Sequence, residues 1–212
     1  MRARFGGTAA TLFARAGHEV ALSHAGPPET LREQVAALGP GARAATIDEA
    51  AVFGEVVLIA IPWRSRGDLP AQQLAGKIVI DATNHYRPDM GFYDLGGSSS
   101  SEEVARAVPQ ARLVKAFNTL PAAELGRRGQ PDRPLHERVI LALAGDDAEA
   151  KAVVARLVVE IGYAPLDTGL LRTGGRLQQP GGGPLAGKAL TLAEAELTLR
   201  QQGSEGDAAP AP

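Results

Sequence analysis

The chain has 212 residues, 44% of them hydrophobic, which suits one domain with an ample core. A formal net charge of -2 without a basic run argues against nucleic-acid or anionic-membrane partners, and the lack of cysteine excludes disulfides and thiolate metal sites. No apolar stretch approaches bilayer-spanning length and the start has no signal-peptide core, so a cytoplasmic protein is expected.

Gly6 and Gly7 open an Ala-rich apolar run that predicts about three helical turns ending at Gly17, and Val20-Ala-Leu-Ser23 reads as a strand. Pro27-Pro28 should start a helix over 29–38 that Gly39-Pro40 stops, followed by a weak strand over 42–46. A short helix over 47–53 carries Asp48 and Glu49 at its positive end. The run 55–61, Glu-Val-Val-Leu-Ile-Ala-Ile, is uninterruptedly apolar, as in a strand buried on both faces, and 77–81 is the next such strand. A helix is expected over 69–75, and a loop with Asn84, His85 and Tyr86 follows the strand over 77–81. A serine-capped helix then reaches Ala107, and a strand spans 112–116. The pattern continues with a helix over 121–128, a polar loop over 128–134 and a strand over 139–144. After the turn Gly145-Asp-Asp come an amphipathic helix over 148–161 and a last strand over 163–167.

This alternation predicts an α/β, doubly wound, mainly parallel sheet with right-handed crossovers over 1–168. A small C-terminal extension over 169–202 should be loose from 174 to 187 and helical over 190–201, and 203–212 reads as a disordered tail.

Ligands of such sheets bind at the carboxyl ends of strands, here Ser23-His24, Pro62-Trp63, 81–84, 116–119 and Gly145-Asp146. Gly6 and Gly7 resemble the second half of a dinucleotide-binding turn, in which a buried strand enters Gly-x-Gly-x-x-Gly and backbone N–H groups face a pyrophosphate. With Gly6 as the third glycine, Met1 and Ala3 occupy the first two positions and nothing remains for the leading strand. Either the true start lies upstream or a central strand has been lost, and close helix packing explains the two glycines equally well. Ser23 and His24, where an acid would hold a ribose, favour a 2′-phosphate and hence NADP; a solvated loop position is the alternative for His24. Ile61-Pro62-Trp63 would offer an exposed indole as a flat wall for a ring, or else cover a helix end. Asn118 and Thr119 bring hydrogen-bonding groups to the crevice or cap the helix behind Pro121, and Asp146-Asp147 reads as a helix cap. The histidines at 18, 24, 85 and 136 lack metal-ligand spacing, no serine sits in a nucleophile elbow, and no acid/base set emerges. Hydride transfer, which needs orientation more than proton chemistry, fits that absence, and a binding protein fits it equally.

Taken together, Gly17-His-Glu-Val20, Ile61-Pro-Trp63, Asp81-Ala-Thr-Asn84, Lys115-Ala-Phe-Asn-Thr-Leu-Pro-Ala-Ala123, Ala144-Gly-Asp-Asp147 and Leu166-Asp-Thr-Gly-Leu170 resemble the F420-dependent NADP oxidoreductases. The resemblance covers about residues 4–188 and implies a Rossmann fold with a small C-terminal extension, NADP(H) in the crevice, and coenzyme F420 or a flavin-like acceptor as small-molecule redox partner; the chain departs from that fold in lacking the first strand. It also implies a homodimer formed partly through C-terminal elements. By position, Gly6 and Gly7 fall in the phosphate loop, Ser23 and His24 at the 2′-phosphate, Ile61, Pro62 and Trp63 beside the nicotinamide. Asn84, Asn118, Thr119 and Leu120 would line the ring pocket. The chain departs from the family pattern in the first two glycines, in Ala25-Gly26 where a basic residue is usual, and in Pro184-Leu-Ala where an aromatic is usual. The expectation is therefore an oxidoreductase transferring hydride between NADP(H) and F420 or a flavin-like acceptor, with flavin and ferric reductases as a variant; the alternative is a non-catalytic or degenerate nucleotide-binding protein.

Overall fold

Alanine-rich, apolar sequence after the paired glycines forms α1 (Arg4–Arg15), which ends where Gly17 adopts φ +94°, a left-handed turn that a side chain would strain. The computed structural model describes residues 4–206. β1 (Val20–Leu22) leads through a 3-10 turn at Pro28–Leu31 into α2 (Arg32–Leu38), then β2 (Ala42–Ala44). α3 (Ile47–Phe53) starts in a capping box in which Thr46 Oγ1 accepts from Glu49 N–H and Thr46 N–H donates to the Glu49 carboxylate; β3 (Val56–Ile59) follows. β4 (Ile78–Asp81), α4 (Ser100–Ala107), β5 (Arg112–Lys115) and α5 (Ala122–Arg128) come next. β6 (Ile140–Gly145), α6 (Ala148–Glu160) and β7 (Ala164–Asp167) complete the strands, and α7 (Leu171–Gln178) and α8 (Leu192–Gly206) form the C-terminal extension.

Five strands form one sheet in the order β3-β4-β5-β6-β7, while β1 and β2 pair as a separate two-stranded sheet. Helices cover both faces. On one side, alternate residues Ile78, Ile80 and Val114 pack against Leu125 of α5, Val154 and Val158 of α6, and Phe5, Leu12 and Phe13 of α1. Val79, Leu113, Val57 and Ile59 face the other way, onto Val104 of α4 and Ala51 of α3. A third cluster joins Ile140, Ala142 and Ala164 to Leu185 and Ala195 of the extension. This is the expected doubly wound α/β fold of the Rossmann type.

The structure corrects four sequence expectations. β6 runs antiparallel to β5, with Val114 opposite Gly145 and Lys115 opposite Ala144, so the chain leaves and re-enters the sheet at the same end. Gly145-Asp146 therefore sits at the amino end of β5, away from the other strand exits. There Arg112 grips Asp147 at 2.5 and 2.9 Å, and Asp147 caps α6 by accepting from Ala150 N–H at 2.9 Å. Those bonds hold the Asp147 carboxyl well below the usual range.

Residues 69–75 form successive turns rather than a helix, the 3-10 segment lying earlier at Trp63–Asp68. Pro70 and Gly76 bracket a stretch too short to propagate an α-helix. Only part of 174–187 is loose: residues 174–178 complete α7, where a Cβ on Gly174 would stand 2.4 Å from the Thr168 carbonyl oxygen, and turns occupy most of 179–187. Gly174 thus serves close packing rather than turning. Finally, α8 continues to Gly206, beyond the expected end at 201; of the tail, 207–212 lie outside the described residues.

Gly162 carries both reasons for being glycine. Its φ is +89°, and a Cβ would stand 2.4 Å from Gln130 N in the segment that hydrogen-bonds back to Gly162 O at 2.9 Å. Gly162→Ala should cost about 2–4 kcal/mol, read as a lowered denaturation midpoint in urea; an unchanged midpoint would contradict the packing.

Candidate functional site

The exits of β3, β4 and β5 converge. Residues 60–62, 82–84 and 121–123, with Phe5 of α1, line a crevice of about 520 Å³ whose walls are apolar except at Thr83 and Asn84. Gly6 belongs to the first turn of α1, where a Cβ would lie 3.6 Å from that of Ala60, so the helix N-terminus approaches the exit of β3 closely. Gly7, in the same turn, faces α2: its Cβ would meet Gln34 Nε2 at 1.9 Å. Gly7 thus faces the end of the Gln34 side chain on α2, while Gly6 stands beside the crevice.

Ser23 and His24 leave β1 in a turn. His24 Nδ1 accepts Gly26 N–H at 3.0 Å, which places any proton of the neutral ring on Nε2, directed to Thr30 Oγ1 at 2.6 Å and Pro27 O at 3.3 Å. Both ring nitrogens are thereby engaged within the turn. Ile61 and Pro62 lie in the crevice wall. Trp63 does not present the exposed indole expected of it. It is 4% exposed, its N–H donates to Ser100 O at 3.2 Å, and it packs among His85, Tyr93 and the Arg66 guanidinium. A buried indole needs an acceptor, and the start of α4 supplies one.

Asn84 and Asn118 hold each other. Asn84 Nδ2 donates to Asn118 O at 3.0 Å, and Asn118 Nδ2 donates to Asn84 Oδ1 at 3.1 Å and to Gln178 O at 2.9 Å. Thr119 and Leu120 are buried, and the Thr119 carbonyl accepts Gly187 N–H at 2.9 Å. This exit thus ties β5 to the C-terminal extension. The residue before these two, Phe117, is fully buried at φ +66°, a conformation that costs a non-glycine residue energy and persists only where packing enforces it.

Behind the crevice lies a polar cluster that the search for acid/base residues missed. Asp81 and Lys115 are register partners at the ends of β4 and β5, both fully buried, with Nζ 3.1 Å from Asp81 Oδ2. Asp81 Oδ2 also accepts from Ser101 Oγ at 2.9 Å, and Oδ1 accepts from Thr83 N–H at 2.9 Å and Thr83 Oγ1 at 2.6 Å. Lys115 donates in addition to the Thr83 carbonyl. Every polar group of Thr83 is therefore fixed from behind, and a crevice wall is held in place by a buried ion pair. The available sequence signal was an acid and a base closing two neighbouring strands of otherwise apolar sequence.

His85 adjoins this cluster. It is 4% exposed, its Nδ1 has no hydrogen-bond partner, and its ring lies edge-on to Trp63 and tilted against Phe92. Burial, and secondarily the Lys115 charge, lower its pKa from the ordinary value of 6.5, so the folded state favours the neutral ring. A histidine lowered in this way contributes stability above the unfolded-state pKa, and that contribution is lost as pH falls below about 6.5 toward the folded-state value. His85→Phe should flatten the loss of Tm between pH 7 and 5; an unchanged pH dependence would show that folding does not lower the His85 pKa.

Among the described residues no group of His, Asp and Glu could hold a metal ion, and no helix is long and apolar enough to cross a membrane.

Residues 4–85 match the family described as NADP oxidoreductase, coenzyme F420-dependent. A hypothetical protein of Sinorhizobium meliloti is 34% identical with a TM-score of 0.79, covering 89% of this chain and 91% of its own. The chain belongs to the coenzyme F420-dependent NADP oxidoreductase family. A candidate F420-dependent NADP-reductase of Arthrobacter sp. FB24 is 26% identical with a TM-score of 0.70, covering 96% of this chain and 91% of its own. Rattus norvegicus metalloreductase STEAP3 is 32% identical over 170 residues, which are 79% of this chain and 32% of the rat protein, so the chain spans about a third of that relative. Membership of an NADP-dependent oxidoreductase family agrees with the crevice at the strand exits.

The described residues fit part of the cofactor this family implies. The apolar crevice suits a nicotinamide, and the glycine-bearing start of α1 suits a phosphate. At the exit of β1 no carboxylate is available for a ribose, and His24 is already hydrogen-bonded.

Proposed function

We propose that the protein is an oxidoreductase passing hydride between NADP(H) and coenzyme F420 or a flavin-like acceptor. The observation that carries this reading is the crevice itself: apolar walls from three strand exits, and one polar wall immobilised by Asp81 and Lys115. When bound, the reduced nicotinamide supplies two electrons and a proton as hydride, and the acceptor ring takes its second proton from solvent.

The chain's own residues bind, orient and exclude water. Phe5, Ile61 and Pro62 form the apolar side, Thr83 forms a wall with its polar groups held by Asp81 and Lys115, and Asn84, fixed by Asn118, turns its remaining amide hydrogen-bonding capacity to the rings. Gly6 lets the N-terminus of α1, where the phosphates would lie, come close to Ala60 at the exit of β3. Asn118, Thr119 and Leu120 act on the acceptor by setting the position of Asn84 and of the loop before α5. Orientation of two rings against each other, rather than general acid/base catalysis, supplies the rate. Trp63 contributes from behind, as support for His85 and α4.

The test is to mix the protein with NADPH and oxidised F420 and to follow loss of the deazaflavin absorbance, with flavin as a second acceptor. Turnover supports the reading. NADPH binding without turnover on either acceptor favours the non-catalytic nucleotide-binding alternative, and absence of NADPH binding overturns both. We propose also that the protein is a homodimer formed through the extension, where Leu197 of α8 is 52% exposed; a monomeric mass by light scattering would refute this.

A further inference from the structure

A second cavity, of about 430 Å³, opens between the segment 93–98 that leads into α4 and the end of α7 with its glycine loop. Where the crevice at the strand exits is apolar, this cavity is lined mainly by polar groups. Its two walls are tied together. Ser100 N–H donates to Gln179 Oε1 at 3.1 Å, Arg176 donates to the Gly97 carbonyl, and Phe92 lies against Gly181, where a Cβ would stand 2.9 Å from the ring.

The lining is rich in donors. Arg176 is exposed and has no carboxylate partner among the described residues, and its guanidinium, bonded to Gly97 O, has further N–H groups to give. Gln179 accepts through Oε1, which leaves its Nε2 hydrogens without an acceptor among the described residues. Ser98 Oγ accepts from Arg106 Nη2 at 3.2 Å and keeps its own hydrogen to donate. Tyr93, whose ring is fixed 5.1 Å from that of buried Trp63, adds a phenol. At Gly97 and Gly182, with φ of +87° and +153°, bare backbone rather than a side chain borders the cavity. Asp94 is the one acid in the lining among the described residues, and its Oδ1 already accepts Gly96 N–H at 2.9 Å.

A planar guanidinium beside neutral amide and hydroxyl donors recognises an oxyanion, and an arginine can meet two oxygens of a phosphate at once. The remaining carboxylate oxygen of Asp94 suits an alcohol rather than a second anion. The complementary ligand is therefore a phosphate ester that also carries hydroxyl groups.

Two short links join this cavity to the crevice. His85, next to Asn84 of the crevice, accepts Tyr93 N–H at its carbonyl at 3.0 Å. Gln178, next to Gln179, accepts Asn118 Nδ2 at its carbonyl at 2.9 Å, and Asn118 holds Asn84.

We infer that this cavity binds the phosphate of a polyol phosphate and so seats the tail of the acceptor whose ring occupies the crevice. The link to the acceptor rests on the hydride-transfer reading, whereas the phosphate site stands on the cavity alone.

Amide chemical shifts test this, with D-ribose 5-phosphate and ribose as one pair of probes. Ribose 5-phosphate should shift the amides of Gly97, Gly182 and Gly183, and ribose should not. Arg176→Gln should weaken that binding about tenfold or more, and Arg176→Lys, which keeps the charge, should weaken it less. Two further pairs carry a ring: FMN with riboflavin, and F420 with its phosphate-free deazariboflavin core. In at least one pair the phosphorylated member should shift the three glycines together with Ala82 and Asn84 and bind about tenfold tighter than its partner, and Arg176→Gln should remove that advantage. No response of the glycines to ribose 5-phosphate, or a response that Arg176→Gln leaves intact, overturns the phosphate site. Equal affinity within both ring pairs overturns its assignment to the acceptor's tail. If no ring compound binds, that assignment and the hydride-transfer reading fail together, while ribose 5-phosphate, which carries no redox group, still decides the site.

Discussion

Replacing Lys115 by Met should destabilise the protein by about 3–5 kcal/mol, a large fraction of the stability of an ordinary domain. The reason is the carboxylate left behind. Asp81 is fully buried, and without the ammonium 3.1 Å away its charge would be held only by Thr83 and Ser101. Burial pulls the Lys115 pKa below that of an ordinary lysine, and Asp81 opposes that pull, so the ammonium depends on the carboxylate. Removing both charges as Asp81→Asn with Lys115→Met should recover more than half of the loss, because no unpaired charge remains. Urea denaturation of the two variants decides the matter. Equal destabilisation by the single and the double change would show that packing, and not charge, holds the cluster.

Ala123→Trp should weaken NADPH binding by about tenfold or more while leaving Tm within a few degrees of the parent. Ala123 lines the crevice from the first turn of α5 and is exposed, so an indole there fills the space proposed for the nicotinamide without entering the core. Trp63→Phe makes the complementary case. Because Trp63 is buried and bonded to Ser100, the loss of its N–H should lower stability and leave nucleotide affinity within about twofold. Fluorescence titration with NADPH reads both. If Trp63→Phe abolished binding and Ala123→Trp did not, the crevice would have been placed wrongly.

The two residues also show why the site was only partly legible. Proline at a strand exit placed Ile61 and Pro62 in the crevice wall from local sequence, but the rotamer of Trp63 depends on a carbonyl 37 residues away in the start of α4. The same applies to Asn118, whose partners Asn84 and Gln178 come from a different strand exit and from the extension. Asp81 and Lys115 were visible as strand ends, yet their pairing required the register of β4 against β5. In Gly174 the sequence signal pointed the wrong way, since glycine favours turns locally but here relieves a contact with Thr168 inside a helix.

What the amino-acid sequence determines by itself is whatever depends on near neighbours: the strand and helix periods, the caps at Thr46, Ser99 and Asp147, the turn at Gly17, and the interior character of β3. These follow from steric and hydrogen-bonding preferences acting within a few residues. Tertiary structure alone decides the antiparallel entry of β6, the burial of Trp63 and the ion pair behind Thr83. Each of these joins segments distant in the chain, where the free energy of burial and of satisfying buried polar groups selects among arrangements that local preference leaves equal.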